Sequence, residues 1–483
     1  MIIAFPPFEP DKSIFNTNAS QTTINCLPIA DGWGPMAGFD EQTDALASTC
    51  LGSVAVRQAD GTIRIFAGTS SNLYELDNSS SPYSWTEVSK TTNGYSVPSG
   101  DKWQFAVFGD YLIAVQLGNY PQFIDIASGT AFDDLTTAFK ARYIWTAGDF
   151  VVVGYLENEP DKVRWSGLND STYWTSGERG ADEQIIPTGG EIMGGIGDER
   201  GSVVALRSAF QFLQFAPETG YTFTRSQANT ARGVVAPYSI AQIGMNDFVY
   251  LSQDGFFRGV EGQPIGTERV DRWFFELVDQ SNINQVRAMV DPFTKIVWWS
   301  FLDITGAYSL LGYDWQLNRW CRSDQDIREA ASLTPPGISW DGLDQLYGSI
   351  DEIDVPFDSI LFRAGSPVFS GFTANDKLAF YGASNLEATL YTAWTEPNPG
   401  GRAMVNEGRF IGDAANHTVS VGVKDTHADE GVWKTAVSPS SRTAMLPLRA
   451  DARLHKYKLV IPAGEAWNSA TALNVEYGAG GRL

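Results

Sequence analysis

Short apolar runs separated by turn residues recur along most of the chain, and that recurrence limits the fold more than any other feature. Residues 53–58 and 62–68 flank Asp60-Gly61, a dipeptide that supplies the positive φ of a tight hairpin turn. Comparable runs lie at 103–108, 111–116, 150–155, 163–166, 202–206, 210–215, 248–252 and 255–260, and later at 286–290, 296–301, 308–314 and 359–362. Asp110, Ser252-Gln253-Asp254-Gly255 and Asp291-Pro292 mark turns between partners. The pairs come round at intervals of roughly fifty residues, which fits four-stranded blades set radially better than a sandwich. The expectation is an all-β chain with a β-propeller of about six or seven blades over residues 51–380.

Four stretches depart from this rhythm. Between Thr267 and Gln280, Val270, Trp273, Phe274 and Leu277 fall at helical spacing with Glu268 in the first turn, which predicts one amphipathic helix across a blade edge. A loop-rich passage follows, with Pro335-Pro336-Gly337, an acidic stretch from Asp351 to Asp358, and Gly365 to Gly371. Over 381–483 the alternation is cleaner, at 388–394, 409–412, 417–423, 444–448, 457–461 and 473–477, and predicts a C-terminal antiparallel β-sandwich or barrel. Residues 1–50, with Pro6, Pro7, Pro10, Asn16, Asn18, Asn25 and Gly32-Trp33-Gly34-Pro35, read as an extended N-terminal arm lying over its own domain or a neighbouring subunit.

Composition narrows the function. With 57 Asp plus Glu against 34 Lys plus Arg, the formal charge of −23 argues against a protein that grips nucleic-acid phosphates over its whole surface. An apolar share of 43% with 15 Trp, 18 Tyr and 28 Phe excludes disorder. Cys26, Cys50 and Cys321 are odd in number and far apart, which speaks against a disulfide framework or a zinc site. The first residues lack a basic stretch and meet prolines at once, and no apolar run is long enough to span a membrane, so the expectation is a soluble protein made in a cytoplasm.

Catalytic patterns are scarce. His417, His427 and His455 all fall in the C-terminal region, with no G-x-S-x-G elbow and no metal-ligand spacing, and read as ordinary surface histidines. Gly194-Gly195-Ile196-Gly197-Asp198-Glu199-Arg200-Gly201 has the glycines of a dinucleotide loop but precedes a strand, so it reads as a blade turn. A sialidase-like propeller would show S-x-D-x-G-x-x-W boxes; Ser252-Gln253-Asp254-Gly255-Phe256 puts its glycine one position early and lacks the tryptophan. The sequons at Asn18, Asn78, Asn169 and Asn416 carry no meaning without a signal peptide. Trp298, Trp299, Trp315 and Trp320 alternate with Val297, Phe301 and Tyr313, which favours blade core over sugar platforms. The expectation is no enzyme: no catalytic, cofactor-binding or metal residues, and no cofactor.

Several segments, in order, resemble the tail hub or nozzle proteins of short-tailed bacteriophages, also described as packaged-DNA stabilisation proteins. They are Phe5-Pro6-Pro7-Phe8-Glu9-Pro10-Asp11-Lys12-Ser13, Leu27-Pro28, Gly32-Trp33-Gly34-Pro35, Phe66-Ala67-Gly68-Thr69 with Leu73-Tyr74, and Trp165-Ser166-Gly167-Leu168-Asn169-Asp170 with Trp174. Leu251 to Phe256 with Ile265-Gly266 and Val270-Asp271 continues the series, which closes on Arg449, Arg453, Trp467 and Gly480-Gly481-Arg482.

The resemblance implies a structural virion protein, located in the tail and assembled in the host cytoplasm. It implies a ring, commonly of six copies, below the portal and adaptor, through which the genome leaves. Partners would be further copies of the chain, adaptor or portal-side proteins above, fibre, spike or needle proteins distally, and DNA in transit. An acidic channel wall would keep DNA from sticking by like-charge repulsion over a Debye length of about 8–10 Å. The alternative is a propeller glycan-binding protein or glycoside hydrolase, a tail-borne depolymerase with a carboxylate pair in its central funnel.

Overall fold

The structure is a computed structural model that describes all residues except 17, 81, 230, 337–365 and 482–483. The strand expected at 359–362, the acidic stretch 351–358 and Arg482 lie outside the described residues. Seven four-stranded antiparallel sheets, blades I to VII, follow one another at 53–87, 104–134, 141–185, 192–229, 241–264, 287–323 and 327–385. The first strand of each blade packs against the first strand of the next, and blade VII returns to blade I. Between blades IV and V the contact runs through the 3-10 turn Pro237–Ser239. The first strands thus surround one axis, the architecture of a propeller.

Blades form where two-residue alternation meets close approach of neighbouring elements. In blade VI every residue of Ile296–Leu302 except Leu302 is buried, with Trp298 stacked on Phe369 and Trp299 on Trp320. Gly312 sits opposite Trp298 in the next strand, where an added Cβ would lie 2.7 Å from the indole ring, so the glycine leaves room for the large side chain. Blade VII draws its fourth strand from the other end of the chain. Ala37–Glu41 pairs with Leu378–Asn385, and Phe39 meets Phe369 edge to face at 4.7 Å.

Residues 1–50 are stitched throughout into the rest of the molecule. Ile2–Ala4 and Gly32–Pro35 pair with Ala470–Ala479, and Thr23–Ile24 pairs with Ala388–Tyr391. The C-terminal sandwich therefore has one sheet ordered Cys26–Ile29, Gly32–Pro35, Ala470–Ala479, Ala403–Gly412, Ala450–Ala452. Its other sheet runs Thr23–Ile24, Ala388–Tyr391, Leu454–Ile461, Thr418–Lys424, Val432–Trp433. Sandwich residues Val405, Val419, Tyr457 and Leu473 share one continuous core with Leu251, Phe256, Trp299 and Phe369 of blades V to VII.

Two local expectations change. The helix is shorter than 267–280: it spans Asp271–Leu277, because Glu268 adopts φ +59° and the amides of Arg269 and Val270 both turn back to the Gly266 carbonyl. A 3-10 turn, Gln280–Gln285, follows. Residues 444–448 form no strand, since Ala444 and Arg449 both take positive φ, and Leu446 only bridges Gly408. The pairing at that edge comes from Ala450–Ala452 instead.

Trp33, fully buried with its indole N–H donating to the Pro6 carbonyl at 3.2 Å, joins the arm to both blocks. Trp33→Ala is expected to lower unfolding stability by about 3–5 kcal/mol. Trp433→Ala, at a side chain 41% exposed, is expected to cost less than about 1 kcal/mol. Denaturant midpoints of the two variants against wild type check this.

Candidate functional site

The centre of the propeller holds a cluster of buried charges. Glu329, on the first strand of blade VII, is fully buried and ion-paired with Lys102, which leads into blade II. It also pairs with Arg287 Nε at 3.1 Å, on the first strand of blade VI. Beside it, Arg142 Nε of blade III lies 2.9 Å from Asp101 Oδ1. The Lys102 amide donates to the Tyr238 hydroxyl at 2.9 Å, so the turn between blades IV and V is tied into the same cluster. Burial raises the Asp101 carboxyl, with Arg142 opposing, and raises the Tyr238 hydroxyl, with the Asp101 charge adding to it. Tyr155 takes φ +58° at a bulge in blade III and lays its ring 4.1 Å from the Arg142 guanidinium.

This cluster divides the axial space. A cavity of about 250 Å³ is lined by Gln104, Gly194, Gly195, Tyr238, Gln242 and Arg287. A second, of about 160 Å³, is lined by Asp101, Arg142, Tyr143, Glu191, Arg207 and, again, Tyr238. Every acid named here is engaged: Glu329 by Lys102 and Arg287, Asp101 by Arg142, Glu191 by Arg207. Chemically the cluster is a clamp joining blades II, III, VI and VII and the IV–V turn. With two cations on Glu329 it favours anions over cations. The sequence offered no distinct signal for it, since Glu329 stands beside Arg328 in the mixed stretch Ile327–Leu333.

A second site is the junction where residues 5–11, 25–35 and 255–273 meet. Asp11 caps the helix across the fold: its Oδ2 accepts from the Arg272 amide at 2.9 Å and its Oδ1 from the Trp273 amide at 2.8 Å. Phe8 meets Trp273 edge to face at 5.4 Å, and Glu9 pairs with Arg269 at 3.4 Å. Arg319 of blade VI lies over the Trp33 ring at 4.8 Å and donates to the Ile29 carbonyl at 2.6 Å and the Gly32 carbonyl at 3.0 Å. Asn25, at φ +57°, accepts from Ser323 and donates to Asp324 and the Glu387 carbonyl, linking blade VI to the sandwich.

Asp271 explains the glycines of the Gly255-Phe256, Ile265-Gly266 and Val270-Asp271 pattern. Its Oδ1 accepts from the Phe256 amide at 3.1 Å, and a Cβ on Gly255 or Gly266 would lie 2.2 or 2.0 Å from the carboxylate. Burial pushes its pKa up to about 6. Gly68 obeys the same rule in blade I, lying under the Trp103 ring, whose N–H donates to the Thr69 carbonyl at 2.8 Å.

The remaining sequence candidates do not converge. Two of the histidines are not on the surface, contrary to the expectation: His417 is buried with Nδ1 3.1 Å from the Ala414 carbonyl, His455 with Nε2 3.3 Å from the Ala450 carbonyl, and burial lowers both pKa values. His427 packs edge-on against Phe15. All three cysteines are buried and free, with burial raising each thiol. Gly194, Gly195 and Gly197 lie on the first strand of blade IV, with Gly195 against the Trp145 ring, and 199–200 make the turn. Asp254 pairs with Arg232 at 3.0 Å. Among the described residues no group of three His, Cys, Asp or Glu is placed to hold a metal.

No family model matches the chain, and no curated protein matches it. Among solved structures it is similar to the AfRom2 CNH domain, at 8% identity and TM-score 0.32 over 71% of this chain and 98% of that one. It is similar to a puromycin hydrolase complexed with PGG, at 11% identity and TM-score 0.34 over 65% and 55%. It is also similar to Kluyveromyces lactis Hsv2, at 8% identity and TM-score 0.25 over 57% and 97%. At these scores the similarities carry no argument about what the chain does.

Two outcomes follow from the site. Glu329→Gln leaves the buried Lys102 ammonium and the half-buried Arg287 without a counter-charge and is expected to destabilise by about 3–5 kcal/mol, read from the denaturation midpoint. Asp271 has a folded pKa raised above its usual 3.8, so its burial disfavours folding above about pH 6, and this penalty fades as pH falls from 6 towards 4. Asp271→Asn is therefore expected to be more stable than wild type at pH 7.5, by about 1–2 kcal/mol after solvent screening. The gap should close near pH 4 in parallel melts.

Proposed function

We propose that the chain is a structural subunit of a short-tailed bacteriophage tail. It forms a ring, of six copies in this reading, below the portal and adaptor, channels or retains the packaged DNA, and connects to distal tail parts. The observation that carries this reading is the junction. The segments at Phe5–Asp11, Gly32–Pro35 and Gly255–Asp271, which resemble that family in sequence, come together in space and bind arm, propeller and sandwich into one block. A ring that bears load between a capsid and its distal parts needs such subunits. The axial clamp adds to this, because it fills the propeller's own centre with ion pairs and leaves DNA to pass between copies.

The second reading, a propeller that binds or cleaves surface glycans, rests on the axial cavities. Its acids are already held by Lys and Arg, which leaves no free carboxylate pair among those described there for acid–base work. The mass of the purified protein, alone and with connector complexes lacking it, separates the two. The first reading expects a particle near six times 52.8 kDa, or a monomer that becomes one on docking. A monomer that ignores the connector and cleaves or binds polysaccharide would overturn it.

A further inference from the structure

Charge is unevenly distributed over this acidic chain. Every propeller lysine except Lys295 bridges a carboxylate. The four lysines of the sandwich, Lys424, Lys434, Lys456 and Lys458, bridge none among the described residues, and all four belong to the sheet containing Leu454–Ile461 and Thr418–Lys424 or to its edge. Lys456 and Lys458 alternate with buried Tyr457 and so share the outer face. Their ammonium groups lie 5.3 and 5.8 Å from the Tyr391 ring centre, and Lys424 is held between Phe15 and Trp394 at 4.8 and 4.6 Å. These cations are fixed in place over aromatic rings. Burial, with the charge of Lys424 adding to it, holds Lys456 below the usual ammonium range.

The complement of this face lies on the same molecule. In a four-stranded antiparallel blade the turn from first to second strand and the turn from third to fourth open at one end of the propeller. Blades I to V place exposed acids in those turns: Asp60, Asp110, Asp149, Glu199, Glu218 and Glu261. None of the six forms an ion pair among the described residues; the cations in the described first-to-second-strand turns are Arg200, beside Glu199 in blade IV, and Lys295 in blade VI. One end of the propeller is therefore an acidic rim.

We propose that the lysine face of the sandwich docks on the acidic rim of the propeller of a second copy of this chain. The lysine face repels a copy of itself, as does the rim, so the contact joins unlike surfaces. A contact between unlike surfaces propagates head to tail and closes into a ring when its rotation allows. The assignment deepens the ring reading above and rests on it. The aromatic rings of the face are occupied by its own lysines and are not open to stacked bases, which favours carboxylates over single-stranded nucleic acid as its partner.

A charge-swap pair tests it. One variant carries Lys456→Glu and Lys458→Glu, at half-buried positions, the other Asp149→Lys and Glu199→Lys, at exposed ones, with melting temperatures checked against wild type. Sedimentation at about 0.1 M salt, where charges act over ~10 Å, is expected to show wild type as an oligomer and each variant alone at the mass of one chain. An equimolar mixture of the two variants should recover the oligomer, since each then offers the other a complementary face. Variants that keep the wild-type mass, or folded variants whose mixture stays monomeric, overturn the proposal. So does a lysine variant that loses binding to a labelled DNA duplex while its mass is unchanged. If the variants join the connector as rings just as wild type does, this contact is wrong and the tail reading stands. A wild type that never joins the connector removes the tail reading itself.

Discussion

The rest of the molecule depends on one backbone pairing, that of Ala37–Glu41 with Leu378–Asn385. A propeller has to bring its last blade against its first, and the entropy of closing so long a ring opposes this. Here the fourth strand of blade VII comes from before blade I, so the ring closes through hydrogen bonds between sequence-distant strands as well as through side-chain packing. The same segment continues backwards into both sheets of the sandwich, at Ile2–Ala4, Thr23–Ile24 and Gly32–Pro35. The first forty residues thus serve as a seam, and their loss would open the propeller and expose sheet edges in the sandwich together.

Charge acts at two levels around this seam. At the axis, Glu329, Lys102 and Asp101 are shielded from water and paired with the partly exposed Arg287 and Arg142, so breaking the buried Glu329–Lys102 pair is costly. Replacing the cluster with apolar groups of the same shape need not destabilise a protein, and the ion pairs instead define which blades meet at the centre. On the surface, the formal charge of −23 is an average over an acidic propeller rim and a cationic sandwich face. A monomer with so polar a distribution is suited to repeated, oriented contact with like molecules, as the proposed ring would require.

How much of this was legible in the sequence follows from the range of each interaction. The blades were legible because alternation and turn residues such as Asp60-Gly61 are local, and the tryptophans of blade VI read as core for the same reason. The helix was placed correctly but drawn too long, since the positive φ at Glu268 depends on contacts around Gly266 that no spacing announces. Residues 444–448 alternate like a strand yet turn at Ala444 and Arg449. The pairing of the first fifty residues could not be read at all, because register between Ile3 and Leu473 is set by a fold closed over the whole chain. The axial cluster left no local trace, since Glu329 follows Arg328 in a mixed strand and its partner Lys102 lies 227 residues away.

The most direct test of the seam is native-state hydrogen exchange followed by peptide. If residues 23–41 close both blocks, their amides will open with the same free energy as the second strands of blades III and VI, in the global unfolding step. Amides of 37–41 and 378–385 should lose protection together. Fast exchange across 23–41 while the blades stay protected would show a loosely attached arm and contradict the account.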